Sequence, residues 1–159
     1  MKNFSKFLAL YKKKFVCLEL DNESQLAMTE WCRNNNFDIS KNYSGEIVNN
    51  FDFHVTVFFS QSNHFLPSGV YDISPIGIDF KKFSLFGVNK DVAVLEIEKT
   101  PELIAYREFF EDHIKMKDSW GKWKPHMTIS YEYRKFDQWN GDFPVGIRAN
   151  KIKINDIEE

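Results

Sequence analysis

His54 and Thr56 stand two residues apart in the apolar run Phe51-Asp-Phe-His54-Val-Thr56-Val-Phe-Phe59. His126 and Thr128 repeat the pattern 72 positions later, in Trp123-Lys-Pro-His126-Met-Thr128-Ile-Ser-Tyr131. In a β-strand, residues i and i+2 point to the same face. Each string therefore sets an imidazole beside a hydroxyl, on a strand whose other face is apolar. Two such pairs facing each other supply two proton-transfer groups and two hydroxyl donors. Cleaving a phosphodiester without a metal needs that set. One group takes the proton of the attacking hydroxyl and another gives a proton to the leaving oxygen. Imidazole does either near neutrality. One ring cannot be neutral and protonated in the same step, so two are needed. The threonine hydroxyls donate to the non-bridging oxygens, where negative charge must be held. Their β-branching restricts their rotamers on a strand. The motif does not fix which histidine is acid and which is base.

A single histidine in an apolar strand is more often a satisfied core residue than a catalyst. The repetition of the whole pattern is what argues for chemistry. Zinc is the other use of paired histidines, but it wants three or four ligands at recognisable spacing. The sequence shows no such cluster, so no metal and no cofactor is expected. His64 and His113 have no spacing relation to the motifs and read as surface residues.

The elements that must position these residues read as an α+β chain. Residues 1–12 read as an amphipathic helix, with Phe4, Phe7, Leu8 and Tyr11 at helical spacing. A strand over 14–20 follows, then a helix from a cap at Asp21 or Asn22 to about Asn34, with Leu26, Ala27, Glu30 and Trp31 along it. The first motif strand spans 51–59, and a loop holding Asn63, Pro67 and Gly69 spans 60–69. Strands over 76–86 and 91–98 are joined by a turn at Gly87-Val-Asn-Lys90. Thr100-Pro101-Glu102 starts a helix running to about Lys115. The second motif strand spans 126–133, with Ile129 and Tyr131 toward the core, and a last strand spans 147–154. The motif strands fall in comparable places in the two halves. The expected architecture is two pseudo-symmetric lobes of mainly antiparallel sheet, with outer helices and a central cleft, in one domain over 1–159.

Composition agrees with a folded core. Of 159 residues, 43% are hydrophobic, and the 16 phenylalanines predict an aromatic-rich interior. No apolar run reaches the length of a membrane-spanning helix. The N-terminal apolar patch is broken by Lys12-Lys13-Lys14 without a small-residue cleavage site. A cytoplasmic location and no membrane partner are expected. Cys17 and Cys32 read as small buried hydrophobes. The net charge of −2 argues against long nucleic acid but not against a short anionic ligand.

The two His-X-Thr strings, their separation and the order of elements resemble the two-histidine (2H) phosphoesterase superfamily. The resemblance covers most of the chain. It implies His54 and His126 as the acid/base pair and Thr56 and Thr128 as phosphate ligands. Within that superfamily the chain is most similar to the anti-CBASS cyclic-oligonucleotide phosphodiesterases of T4-like phages. That likeness rests on the Phe-Leu-Ala-Leu-Tyr11-Lys segment, the Phe-Asp-Phe-His54-Val-Thr56 string and the Lys-Pro-His126-Met-Thr128-Ile string. It implies a cyclic di- or trinucleotide as the ligand, no protein partner, and the host bacterial cytoplasm as the place of action. The alternatives are another 2H reaction on RNA ends or 2′,3′-cyclic phosphates, and a non-catalytic sponge for cyclic nucleotides.

Flat bases are held by aromatic stacking. Tyr11, Trp120, Trp123 and Trp139 are candidates for it, each equally readable as packing. Lys124 with Lys122, and Lys12 to Lys14, are candidates for positive potential; for Lys81-Lys82 plain solvation is the better reading. Glu132, in strand register with His126, is a candidate to orient a histidine or read a base edge.

Overall fold

The computed structural model describes residues 11–65, 67–113, 123–135 and 138–156. The expected N-terminal helix over residues 1–10 and the Lys122 and Trp120 positions lie outside them. The surface reading of His64 and His113 concerns side chains that are outside them too.

Tyr11–Leu20 forms a strand, β1, with Val16, Leu18 and Leu20 at period two in the core. Tyr11 thus opens a strand rather than closing a helix. Lys14 belongs to the same strand and is fully buried, ion-paired with Asp156. Its charge is spent inside the protein, not offered to a ligand. Asp21 then caps α1 (Asn22–Asn34), accepting a hydrogen bond from the Ser24 N–H at 2.7 Å. The buried face of α1 is Ser24, Met28 and Cys32, spaced by four, and Leu26 is 66% exposed.

The first motif strand, β2 (His54–Phe65), runs well past the expected end at 59. β3 (Gly69–Ile78) follows closely, at the opposite edge of the same sheet. The segment read as one strand over 76–86 divides at Asp79 into β3 and β4 (Phe80–Phe86). The turn at 87–90 forms as expected. Gly87 supplies a φ of 93°, and the Lys90 N–H bonds the Gly87 carbonyl at 3.1 Å. β5 (Val92–Ile97) leads to α2 (Pro101–Glu108), capped by Thr100 and extended by a π-helical turn over Phe109–His113. β6 (His126–Ser130) is shorter than expected, because the chain bends at Tyr131. β7 (Ile147–Asp156) closes the fold.

Two antiparallel sheets result, in an α+β arrangement. One has the order β2-β1-β7-β3 and the other β4-β5-β6. Both motif strands are edge strands, and these two edges come together. The core is aromatic-rich as composition foretold. Phe37, Phe83 and Tyr133 are buried within one ring cluster that Trp31, Trp139 and Phe143 extend. Cys17 and Cys32 are buried free thiols. Burial pushes the Cys32 thiol up to about 12. Among the described residues no helix is long and apolar enough to cross a membrane.

Candidate active site

His54 and Thr56 occupy one face of β2, half-buried, while Val55 and Val57 between and after them are fully buried. His126 and Thr128 do the same on β6, over buried Met127 and Ile129. The period-2 reading of both strings is thus what the chain adopts. Each imidazole is fixed in the same way, by the backbone carbonyl two residues before it. Nδ1 of His126 lies 2.8 Å from the Lys124 carbonyl, and Nδ1 of His54 lies 3.3 Å from that of Asp52. A carbonyl only accepts, so Nδ1 carries the proton in both rings and Nε2 is left for a ligand. Each ring also meets a phenylalanine edge-on. Phe15 lies 5.8 Å from His54 and Phe86 lies 4.8 Å from His126, centroid to centroid.

Edge strands leave backbone groups without ladder partners. Side chains from three other elements satisfy those of β2 near the motif. Gln25 on α1 donates to the Phe53 carbonyl at 2.8 Å. The Trp123 indole donates to the Thr56 carbonyl at 3.1 Å, and buried Arg107 on α2 donates to that of Val57 at 2.7 Å. Arg107 also lies over the Phe58 and Trp123 rings, at 4.4 and 5.3 Å. Trp123 therefore ties the approach to β6 onto β2, joining the two motifs through backbone.

The surroundings of the two histidines differ. The cross-strand partner of His54 on β1 is Glu19, and that of Thr56 is Cys17. Glu19 and Cys17 in turn face Lys151 and Lys153 on β7. The Asp52 carboxylate lies 3.4 Å from His54 Nδ1. Burial works to lower the His54 pKa, but the Asp52 hydrogen bond and the Asp52 and Glu19 charges outweigh it, so His54 stands above the ordinary imidazole value. Burial also works on His126, where the charge of His54 adds to it. The Lys124 carbonyl and Glu96 do not compensate, and His126 stands below the ordinary value. Glu96, the cross-strand partner of His126 on β5, is occupied by Ser84 and by Lys82 at 3.7 Å. Burial raises the Glu96 pKa, but those partners prevail and hold it low.

Among the described residues no group of three or more His, Cys, Asp or Glu is gathered as a metal site would need. No protein-family model matches the chain, and no curated protein matches it in sequence. A solved structure of Escherichia coli LigT in complex with phosphate is similar to it in shape. The TM-score is 0.46 and the identity 13%, over 93% of this chain and 95% of that one.

The other predicted residues are distributed unevenly. Lys124 is exposed and contributes its carbonyl to His126. Trp123 is half-buried at the junction of the motifs. Glu132 lies beyond the end of β6, out of its register, and pairs with Lys41 at 3.2 Å and Arg134 at 3.6 Å. Trp139 sits in the aromatic cluster with Trp31 and Phe37. Tyr11 pairs with Phe65 at the end of the β1–β2 ladder opposite His54, roughly 25 Å along the strand from Glu19. Sequence reading missed Asp52, Glu19, Arg107 and Tyr131. The Tyr131 ring packs against the core beside Phe51, as expected, but the residue is only half-buried and its hydroxyl is hydrogen-bonded with Thr128. Burial raises its pKa. Asp52, at i−2 from His54, was the one with a usable signal, since it shares the face of the motif.

Proposed function

We propose that the paired motifs form the active site of a metal-independent phosphodiesterase of the 2H type, acting on the 3′–5′ linkages of cyclic di- and trinucleotides. One observation carries the reading. Two half-buried imidazoles stand on abutting edge strands, each with Nδ1 held by a carbonyl, Nε2 left for a ligand, and a threonine at i+2. That arrangement suits in-line displacement at phosphorus. The ribose 2′-hydroxyl attacks the adjacent phosphorus, one Nε2 takes its proton, and the other protonates the departing 5′ oxygen. Thr56 and Thr128 donate to the non-bridging oxygens. A 2′,3′-cyclic phosphate forms, and water opens it with the proton roles exchanged. Lys151 and Lys153 on β7, across the ladder from Glu19 and Cys17, stand beside the His54 motif to balance the ligand's charge. The two strings shared with the phage anti-CBASS enzymes support the choice of a cyclic nucleotide immune signal, whose linearisation would let a phage evade that defence in the bacterial cytoplasm.

The test is incubation of the protein with 3′,3′-cyclic GMP-AMP in EDTA, with products resolved by chromatography and mass. The expected product is a linear dinucleotide ending in a cyclic or 3′ phosphate, absent with His54→Ala, with His126→Ala, and with a substrate lacking the 2′-hydroxyl. Tight binding without turnover would make the protein a sponge. Turnover of 2′,3′-cyclic phosphates or RNA ends instead would move it to another 2H reaction.

A further inference from the structure

Residues 123–125 make three hydrogen bonds in succession. The Trp123 indole donates to the Thr56 carbonyl at 3.1 Å. The Lys124 carbonyl lies 2.8 Å from Nδ1 of His126. The buried Pro125 carbonyl accepts from the Ile97 N–H at 2.9 Å. The first bond reaches across to β2, the second fixes the imidazole, and the third ties the segment to β5. A short stretch of chain thus connects the backbone of one motif to the ring of the other.

Arg107 on α2 supports this joint from below. Its guanidinium carbon lies 5.3 Å from the Trp123 ring centre and 4.4 Å from that of Phe58 on β2. Its Nη1 donates to the Val57 carbonyl at 2.7 Å, next along β2 from the carbonyl that the indole grips. Its Nε donates to Glu111 at 2.8 Å, four residues on. The Arg107 side chain is only 7% exposed, so these contacts are made away from water, where hydrogen bonds are stronger. Lys99 Nζ lies 6.0 Å from the Trp123 ring, which the protein's own cations therefore engage from α2 and from the end of β5.

We propose that Arg107 is a positioning residue of the two-histidine site: through Trp123 it sets where His126 stands relative to His54 and Thr56. One guanidinium holds the β2 backbone and the indole together, and the indole carries the Lys124 carbonyl that holds the ring. A lysine cannot replace it, because an ammonium lacks both the planar face and the fork. The effect on turnover rests on the phosphodiesterase reading; the hold on His126 does not. Misplacing one ring slows an in-line displacement more than it weakens binding, because alignment is demanded as the bonds change.

The first test needs no substrate. In ¹⁵N NMR of the free protein, the His126 Nδ1–H signal should move in Arg107→Lys and in Trp123→Phe. The His54 signal should stay near wild type, because β1 pairs with β2 there. Glu111→Gln loosens Arg107 without emptying its site, and should shift the His126 signal the same way by less. A His126 signal unmoved in all three variants would overturn the proposal. The second test is kinetic, with 3′,3′-cyclic GMP-AMP. Arg107→Lys and Trp123→Phe should each lower kcat by about ten-fold with KM little changed. The double variant should be within about two-fold of the worse single, because both break one link. Losses that multiply, or that fall on KM, would overturn the proposal. No turnover by the wild type would refute the phosphodiesterase reading, and the NMR signals would still decide the role of Arg107.

Discussion

His54 and His126 share a motif, a strand edge and a carbonyl two residues upstream, yet one is backed by two carboxyls and the other by none left unengaged. On β6 the nearby carboxylate, Glu96, is already committed to Ser84 and Lys82. On β2 the Asp52 carboxylate is aimed at the ring itself. The repeat therefore supplies two similar side chains, and the neighbours make them different acids. A symmetric pair of imidazoles would hold the same proton equally. Unequal neighbours raise the pKa of one ring and lower that of the other.

The harshest way to break the comparison is to remove either ring. His54→Ala and His126→Ala should each lower kcat by roughly 10²–10⁴-fold, read by single-turnover product formation. If one of the two kept near-native turnover, the two-group mechanism would fail. The threonines come next. Thr56→Val and Thr128→Val remove one donor each at nearly constant shape and should each cost about 10²-fold in kcat. Tyr131→Phe removes only the partner of Thr128 and should cost less than Thr128→Val. A Tyr131→Phe loss as large as the threonine's would show the tyrosine touching substrate.

The pH profile sharpens the comparison without mutation. With His126 as the base, kcat/KM falls on the acid side as pH drops through its lowered pKa. With His54 as the acid, kcat/KM falls on the alkaline side as pH rises through its raised pKa. The plateau between them should be wider than two ordinary imidazoles would allow, and Asp52→Asn should narrow it from the alkaline side only. Narrowing from the acid side would contradict the assignment. The smallest effect concerns the link between the halves. Trp123→Phe keeps the ring but loses the bond to the Thr56 carbonyl, and should destabilise the fold by about 1 kcal/mol in denaturant titration. An unchanged midpoint would show water replacing the indole.

The parts legible in the sequence were those set by local periodicity. The faces of both motif strands, the Asp21 and Thr100 caps and the Gly87 turn depend on residues within a few positions of each other. What sequence reading lost depended on distant partners. β2 continues to Phe65 because β1 is long enough to pair with it out to Tyr11. Lys14 reads as a ligand-facing cation until Asp156, 142 positions away, is brought beside it. On α1 the face turned inward is that of Met28 and Cys32, which only the packing of the helix on the sheet decides. In the site, the motif histidines and threonines were found from spacing alone. Glu19 was not, because only strand pairing sets it across from His54. Arg107 was not, because a buried guanidinium looks in sequence like any other helix surface charge.

Both motif strands are sheet edges resting against one another. An uncovered edge is a template for pairing with another chain. Assembly of the cleft therefore also shields two surfaces prone to self-association. A substitution that parts β2 from β6 should lose turnover and gain light scattering together, so that selection for activity and selection against aggregation act on the same contact.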